Sequence, residues 1–349
     1  MNDSIKSIAA IMRDLDNILI YPHINMDGDA LGSCSALCLA LRKLGKTAYV
    51  MINEPVPKNL DFLECGCTTD DDSVIEDVNL SLMLDCNGLN RITGREDAWN
   101  RGRLKGCIDH HAVGNTDIRF DFYRAEPKSA ATGELIYLLI KALKVDIDLE
   151  MANCLFAAIT TDTGNFQHTN TTKRSHDIVG NFYEIEGFDS KQISALIYDR
   201  KSKEALKMES KILADLEFYE NGRIAAGRVT QKLLEECDCV MSDSDGVIQR
   251  IMSIDGVEVG VLFKETATNV RASMRAKSYC NVADVATKHN GGGHVRAAGC
   301  NSEKSLEEFK SVLIPDLVEA LKVRPAKSNK DNAGNRNKYG DRKPRNRKK

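Results

Sequence analysis

The segment His23-Ile24-Asn25-Met26-Asp27-Gly28-Asp29-Ala30-Leu31-Gly32-Ser33 places one imidazole and two carboxylates within a few residues, directly after an apolar run. Mixed nitrogen and oxygen donors at that spacing suit a borderline-hard divalent cation such as Mn2+. The alternative for Asp27 and Asp29 is that they cap the helix that follows. Three further clusters carry the same donor types: Asp85-Cys86-Asn87, Asp109-His110-His111 and Thr161-Asp162-Thr163-Gly164-Asn165-Phe166. Together the four offer His23, Asp27, Asp29, Asp85, Asp109, His110, His111 and Asp162. Two metals about 4 Å apart need a bridging carboxylate and several terminal ligands, and such a pair clamps the attacking and leaving oxygens of a phosphoryl group. Far downstream, Asn290-Gly291-Gly292-Gly293-His294-Val295-Arg296 is poor in side chains, so that its backbone amides could cradle a phosphate. A plain linker is the alternative there. The flanking helix pattern over Val282–His289 and strand pattern over Ala297–Cys300 favour a built loop.

These clusters need elements to position them, and the hydrophobic pattern supplies an α/β framework. Strands are expected at Asn17–Tyr21, Thr47–Ile52, Leu80–Asp85 and Leu104–Asp109, alternating with amphipathic helices such as Ala30–Leu44. Strands alternating with helices predict a mostly parallel sheet, whose carboxyl strand ends share one edge, where ligands bind. Three of the four clusters follow such a strand. The fourth, around Asp162, ends a helix expected over Leu149–Thr161, itself preceded by one over Ser129–Leu143. From Thr171 to Tyr219 the pattern is helical and increasingly charged, as in a connector. The segments Val257–Phe263 and Asn269–Arg275, followed by a helix over Lys304–Leu321, read as a smaller mixed α/β domain. The expected division is 1–188 for the metal-binding catalytic domain, 189–221 for a helical linker, 222–322 for the substrate-binding domain and 323–349 for a disordered basic tail.

Charge is distributed unevenly. Lys322 to Lys349 holds 12 Lys and Arg against Asp331 and Asp341, a balance of +10, which leaves 36 basic and 49 acidic residues, or −13, for the rest. An acidic body is a poor general binder of nucleic acid, so an anionic substrate needs metal ions and a few local arginines. The tail is expected to associate with RNA through counterion release, or else to act as a solubilising terminus. The 11 cysteines lie scattered among apolar residues and read as reduced core thiols of a cytoplasmic protein. Cys65-Gly66-Cys67 and Cys237-Asp238-Cys239 lack the spacing of a zinc knuckle. No signal peptide and no membrane span are expected. His168 and His176 match no motif and read as surface residues.

In their order and types the motifs resemble those of the DHH/DHHA1 phosphoesterases of the nanoRNase and pAp-phosphatase group. The pattern HxxxDxDxxGS, the aspartate of Leu84-Asp85-Cys86-Asn87, the Asp109-His110-His111 triplet and Thr161-Asp162-Thr163-Gly164-Asn165-Phe166 carry the likeness, with Ser273-Met274-Arg275 and Gly291-Gly292-Gly293-His294 downstream. The resemblance implies two Mn2+ ions, with Mg2+ or Co2+ as substitutes. One would be held by His23, Asp27 and Asp85, the other by Asp29, Asp85, His110 and Asp162, with Asp85 bridging and a metal-activated water as nucleophile. Asp109 would orient a neighbouring ligand, and His111 would face the scissile phosphate as a donor or acid. His294 and Arg275 would hold the substrate's 5′ end, with Gly291, Gly292 and Gly293 beneath it and Arg271 and Arg296 as further candidates. Members commonly have a fourth glycine where Asn290 stands, and proline where Met26 stands.

The implied activity is hydrolysis of dinucleotides and short RNA (pApA, pGpG) to mononucleotides and removal of the 3′-phosphate of pAp, by a protein that in this family is often a homodimer. A metal site on one domain and a phosphate grip on the other would act as a ruler favouring short substrates. The competing expectation is a phosphodiesterase dedicated to cyclic-dinucleotide turnover. A manganese pyrophosphatase, a long single-strand exonuclease and a non-catalytic nucleotide-binding module are more remote alternatives.

Overall fold

The computed structural model describes residues 2–111 and 118–322, and the chain divides between Arg200 and Lys201 into two compact units. The basic tail lies outside the described residues.

In the first unit six parallel strands form one sheet: β1 (Ile18–Tyr21), β2 (Ala48–Met51), β3 (Thr68–Thr69), β4 (Leu80–Leu84), β5 (Leu104–Asp109) and β6 (Phe122–Ala125), in the order β3-β2-β1-β4-β5-β6. The order reverses between β1 and β4, and a doubly wound sheet opens its ligand crevice at the carboxyl ends of the strands flanking that reversal. Side chains along β1 alternate between two cores. Ile18 and Ile20 join a cluster with helices α1 (Ile5–Asp14), α2 (Gly28–Lys43), α4 (Thr132–Leu143) and α5 (Leu149–Asp162), whereas Leu19 and Tyr21 pack on the opposite face with Trp99 of α3 (Glu96–Arg101). Helices α6 (Lys173–Phe182) and α7 (Ser190–Tyr198) complete the unit.

Helices α2 and α5 approach very closely. A Cβ on Gly32 would lie 2.4 Å from the Cys154 carbonyl oxygen, so that only glycine fits there. The open edge of β6 is covered by the start of the chain: Asp3 N–H donates to Tyr123 O (2.7 Å), Ala125 N–H donates to Asn2 Oδ1 (2.7 Å), and Asn2 Nδ2 donates to Ala125 O (2.6 Å).

The second unit begins with α8 (Lys203–Ala214) and builds a mixed sheet from β7 (Glu217–Tyr219), β8 (Ile224–Val229), β9 (Val259–Glu265), β10 (Val270–Ala276), β11 (Gly292–His294) and β12 (Ala297–Ser302), in the order β11-β12-β10-β9-β8-β7. Only β8 and β9 run parallel. Helices α9 (Gln231–Cys237), α10 (Val247–Met252), α11 (Val282–Lys288) and α12 (Leu306–Lys322) cover it.

Three expectations are corrected. The charged stretch to Tyr219 is not helical throughout, because Glu217–Tyr219 pairs with β8. Strands β3 and β6 add to the four expected in the first unit, because Thr68-Thr69 and Phe122-Tyr123-Arg124-Ala125 hold no long apolar run. The glycine-rich segment is not a loop alone: Gly292–His294 is an edge strand paired with β12, recruited by backbone hydrogen bonding despite a composition that disfavours strands.

Candidate metal centre

Four polypeptide turns at the carboxyl edge of the first sheet bring the acidic and histidine residues together. His23 lies just past β1, Asp85 just past β4, and Asp109 ends β5 with His110 and His111 next. Asp29 is in the first turn of α2, and Asp162 closes α5. Asp27 caps α2, its Oδ1 accepting from the N–H groups of Asp29 and Ala30 (3.0 Å each). Its other oxygen lies 3.7 Å from His23 Nε2, so capping and site membership hold at once.

Two donor groups result, each with its ligand atoms within 4.8 Å of one another: His23, Asp27 and Asp85, and Asp29, His110 and Asp162. Asp85 stands between them. Its Oδ2 is 3.4 Å from His23 Nε2 and its Oδ1 is 3.5 Å from His110 Nε2. A third grouping of Asp85, His110 and His111 overlaps both. Asp85 also adopts φ 61, a left-handed conformation uncommon outside glycine, which turns the chain sharply as it leaves the sheet.

Both imidazoles are presented in the same way. His23 Nδ1 lies 2.8 Å from the Ile24 carbonyl and His110 Nδ1 lies 3.3 Å from the Ser129 carbonyl, which leaves each Nε2 facing the carboxylates. The carboxylates are fixed from α4. Asp29 accepts from the N–H groups of Thr132 (2.7 Å) and Gly133 (2.9 Å) and from Ser33 Oγ (3.0 Å), and Asp85 Oδ1 accepts from the Thr132 hydroxyl (2.9 Å). Thr132, Ser129 and Gly133 do not stand out in the sequence, since their contributions are mostly backbone groups. A Ser/Thr-Gly pair opening a helix is the only signal that could have drawn notice. Asp109 is tied to His111, accepting at Oδ1 from its N–H (2.9 Å) with its ring Nδ1 2.8 Å away, while Oδ2 accepts from Asn87 (2.9 Å). The floor of the site, Asp29 and Asp85, is buried, and the rim is open, with the Asp27 side chain 52% exposed and that of His111 39% exposed.

So many carboxylates at such separations repel one another. Burial lowers the basicity of the two imidazoles, but the neighbouring carboxylates outweigh it and raise each to about 10: Asp27 and Asp85 act on His23, and Asp162, Asp29 and Asp85 act on His110. Burial, with the charges of Asp85 and Asp162, holds Asp29 well above the usual carboxylate range, and burial likewise raises Asp85. The metal-free centre therefore retains protons. His110 Nε2 is buried without a well-formed hydrogen bond although Asp162 Oδ2 is 3.0 Å away, the arrangement of atoms converging on a common point. This donor set fits a divalent cation.

Arg271, Arg275, Gly292 and His294 share a face of the second sheet. Along β10, Arg271, Ser273 and Arg275 alternate with the buried Ala272 and Met274. Pairing sets Arg275 opposite Ala297 and Ala297 opposite His294, and sets Ser273 opposite Gly299 and Gly299 opposite Gly292. Arg275 and His294 thus occupy one row across three strands, next to the row of Ser273, Gly299 and Gly292, with Arg271 in the row beyond that. A Cβ on Gly292 would meet nothing within 4 Å, whereas one on Gly291 would strike the Gly299 carbonyl at 2.2 Å. Asn290 has φ 56, a conformation that asparagine tolerates, so its replacement of glycine keeps the turn. Arg296 is exposed at the turn between β11 and β12. His168 is exposed, and its Nδ1 lies 3.3 Å from the Asp162 carbonyl, while His176 stacks on Phe166 (5.3 Å). A separate cavity of about 350 Å³ beside α8 and α9 contains none of these residues, and its cations Lys211, Lys232 and Arg228 are paired with Glu236, Glu217 and Glu307.

Residues 17–159 match the DHH family N-terminal domain and residues 221–321 match the DHHA1 domain, so the chain belongs to the DHH/DHHA1 family. It is 28% identical over 310 residues to the bifunctional oligoribonuclease and PAP phosphatase NrnA of Thermus thermophilus, covering 85% of this chain and 88% of that protein. A more distant relative is a probable manganese-dependent inorganic pyrophosphatase of Bacillus pumilus, 23% identical over 70% of this chain and 80% of its own. The fold is that of a Bacteroides fragilis exopolyphosphatase-related protein, with a TM-score of 0.83 at 24% identity over 91% of this chain and 97% of that one. Among the described residues no helix is long and apolar enough to cross a membrane.

Proposed function

We propose that the protein is a two-metal phosphoesterase that hydrolyses dinucleotides and short oligoribonucleotides to mononucleotides and removes the 3′-phosphate of pAp. The observation that carries this reading is Asp85, one carboxylate whose two oxygens face two separate donor groups. His23, Asp27 and Asp85 would hold one cation, and Asp29, Asp85, His110 and Asp162 the other; Mn2+ suits the mixed donors. Bound there, the cations supply Lewis acidity to the phosphoryl oxygens and acidify water. His111, oriented by Asp109 at the open rim, is placed to donate to the scissile phosphate or its leaving oxygen. On the second unit Arg275 and His294, with Arg271 and Arg296 nearby in sequence, offer charge and hydrogen bonds to a 5′-phosphate beside Gly292, the one glycine of Gly291-Gly292-Gly293 with open space at its Cβ position. The substrate class follows the activities for which the relatives are named, and the site chemistry supports it.

The test is a side-by-side assay of the Mn2+-loaded protein on pApA, pGpG, an RNA five-mer, pAp, cyclic di-AMP and pyrophosphate. The expected products are mononucleotides from the linear substrates and AMP from pAp. Turnover of cyclic di-AMP alone would replace this reading with the cyclic-dinucleotide one, and turnover of pyrophosphate alone would refute both.

A further inference from the structure

Glu134 is a fully buried carboxylate that faces none of the reacting positions, and burying such a group is costly unless its oxygens are well partnered. They are. Oε2 accepts from Ser129 Oγ (2.8 Å) and the Ala130 N–H (3.2 Å), Oε1 accepts from Ser175 Oγ of α6 (2.6 Å), and Arg174 Nη1 lies 3.7 Å away. The segment held in this way is the one whose Ser129 carbonyl takes His110 Nδ1. The same segment is tied to Asp162, because Asn170 Nδ2 donates to both the Ala130 carbonyl (3.0 Å) and the Asp162 carbonyl (3.1 Å). The His23 side is held from elsewhere: its Nδ1 rests on the carbonyl of the adjacent residue, Ile24, whose N–H donates to the Arg91 carbonyl (2.7 Å).

We propose that Glu134 is a positioning residue for one half of the centre: by clamping Ser129 and Ala130 between α4 and α6 it sets the His110 ring, and the His23 half does not depend on it. Loss of an outer hydrogen-bonding partner typically weakens metal binding about 10- to 100-fold. That loss falls mainly on the ion held by Asp29, His110 and Asp162 with the shared Asp85, and reaches the ion of His23 and Asp27 only through Asp85. The inference rests on the two-metal reading above.

The experiment is Mn2+ titration of the full-length protein followed by calorimetry and by electron paramagnetic resonance, which separates a coupled pair from a lone ion. Wild type should bind two ions as a coupled pair. Glu134→Ala should keep one site at near wild-type affinity, weaken the other about 10- to 100-fold, and show a lone-ion spectrum at one equivalent or more until the weak site fills. Glu134→Gln should recover most of the pair, since its amide oxygen can still accept from Ser129 and Ala130 while the Ser175 hydroxyl reverses to accept. If Glu134→Ala does not fold, Ser175→Ala removes one donor to Glu134 and should show the same one-sided weakening, smaller in size. An unchanged coupled pair in a folded Glu134→Ala, or equal weakening of both sites, overturns this inference alone. A wild-type protein without a coupled pair overturns the two-metal reading and this inference with it.

Discussion

The acidic centre of the first unit and the cationic face of the second are built on opposite plans. The first is assembled from four turns far apart in sequence, with a buried floor fixed by backbone donors, and it holds its charges at separations that only protons or cations make tolerable. The second comes from neighbouring rows of one sheet, where Arg271 and His294 are exposed and the surroundings are small side chains. Under the proposed function the difference separates two tasks. A site that stabilises charge developing during reaction requires rigid preorganisation, whereas a site that holds one end of a substrate needs only reach and charge.

Three changes probe that contrast, in decreasing order of effect. Asp85→Asn removes the carboxylate shared by both donor groups while keeping its size. It should reduce kcat for dinucleotides by more than the roughly 100-fold that loss of an outer partner costs, and lower metal stoichiometry together with it. Near-normal turnover with two bound ions would erase the special status of Asp85. Arg275→Ala or His294→Ala should raise KM about 10- to 100-fold for 5′-phosphorylated dinucleotides, the scale of one lost charged hydrogen bond, and leave hydrolysis of a minimal aryl phosphate nearly unchanged. Equal effects on the two substrates would show that the second unit contributes to more than binding.

The third is pH. With His23 and His110 raised to about 10, both rings are protonated in the metal-free protein at neutral pH, and a cation must displace those protons. Mn2+ affinity should therefore keep climbing from pH 6.5 toward 10, with proton release measurable by calorimetry in buffers of different ionisation enthalpy. A plateau just above pH 7 would indicate ordinary imidazoles. The sign for the metal-free fold is the reverse. A raised histidine contributes stability that is complete below about 6.5 and fades as pH rises through about 10, so the thermal midpoint of the metal-free protein should fall over that interval.

Much of the centre was legible because each donor cluster follows a recognisable apolar strand or ends a periodic helix, and parallel topology makes those ends neighbours. His23, Asp27, Asp29, Asp85, His110, His111 and Asp162 all lie at one edge for that reason. What escaped notice was of three kinds. Ser129, Thr132 and Gly133 act largely through backbone groups, which every residue has, so their value depends on where α4 begins in space. Glu134 looks like any helical glutamate until its neighbours are known. Strand β3, too short at two threonines to show a pattern, and β11, with two glycines and a histidine that disfavour strands, exist because a partner strand offers hydrogen bonds.

The cover that residues 2 and 3 place over β6 bears on self-association. A sheet grows by recruiting a neighbour along an unpaired margin, and here one margin is covered by Asn2 and Asp3 while the other, β3, spans only two residues. Merging the sheets of two copies into one is therefore disfavoured at both margins of this unit.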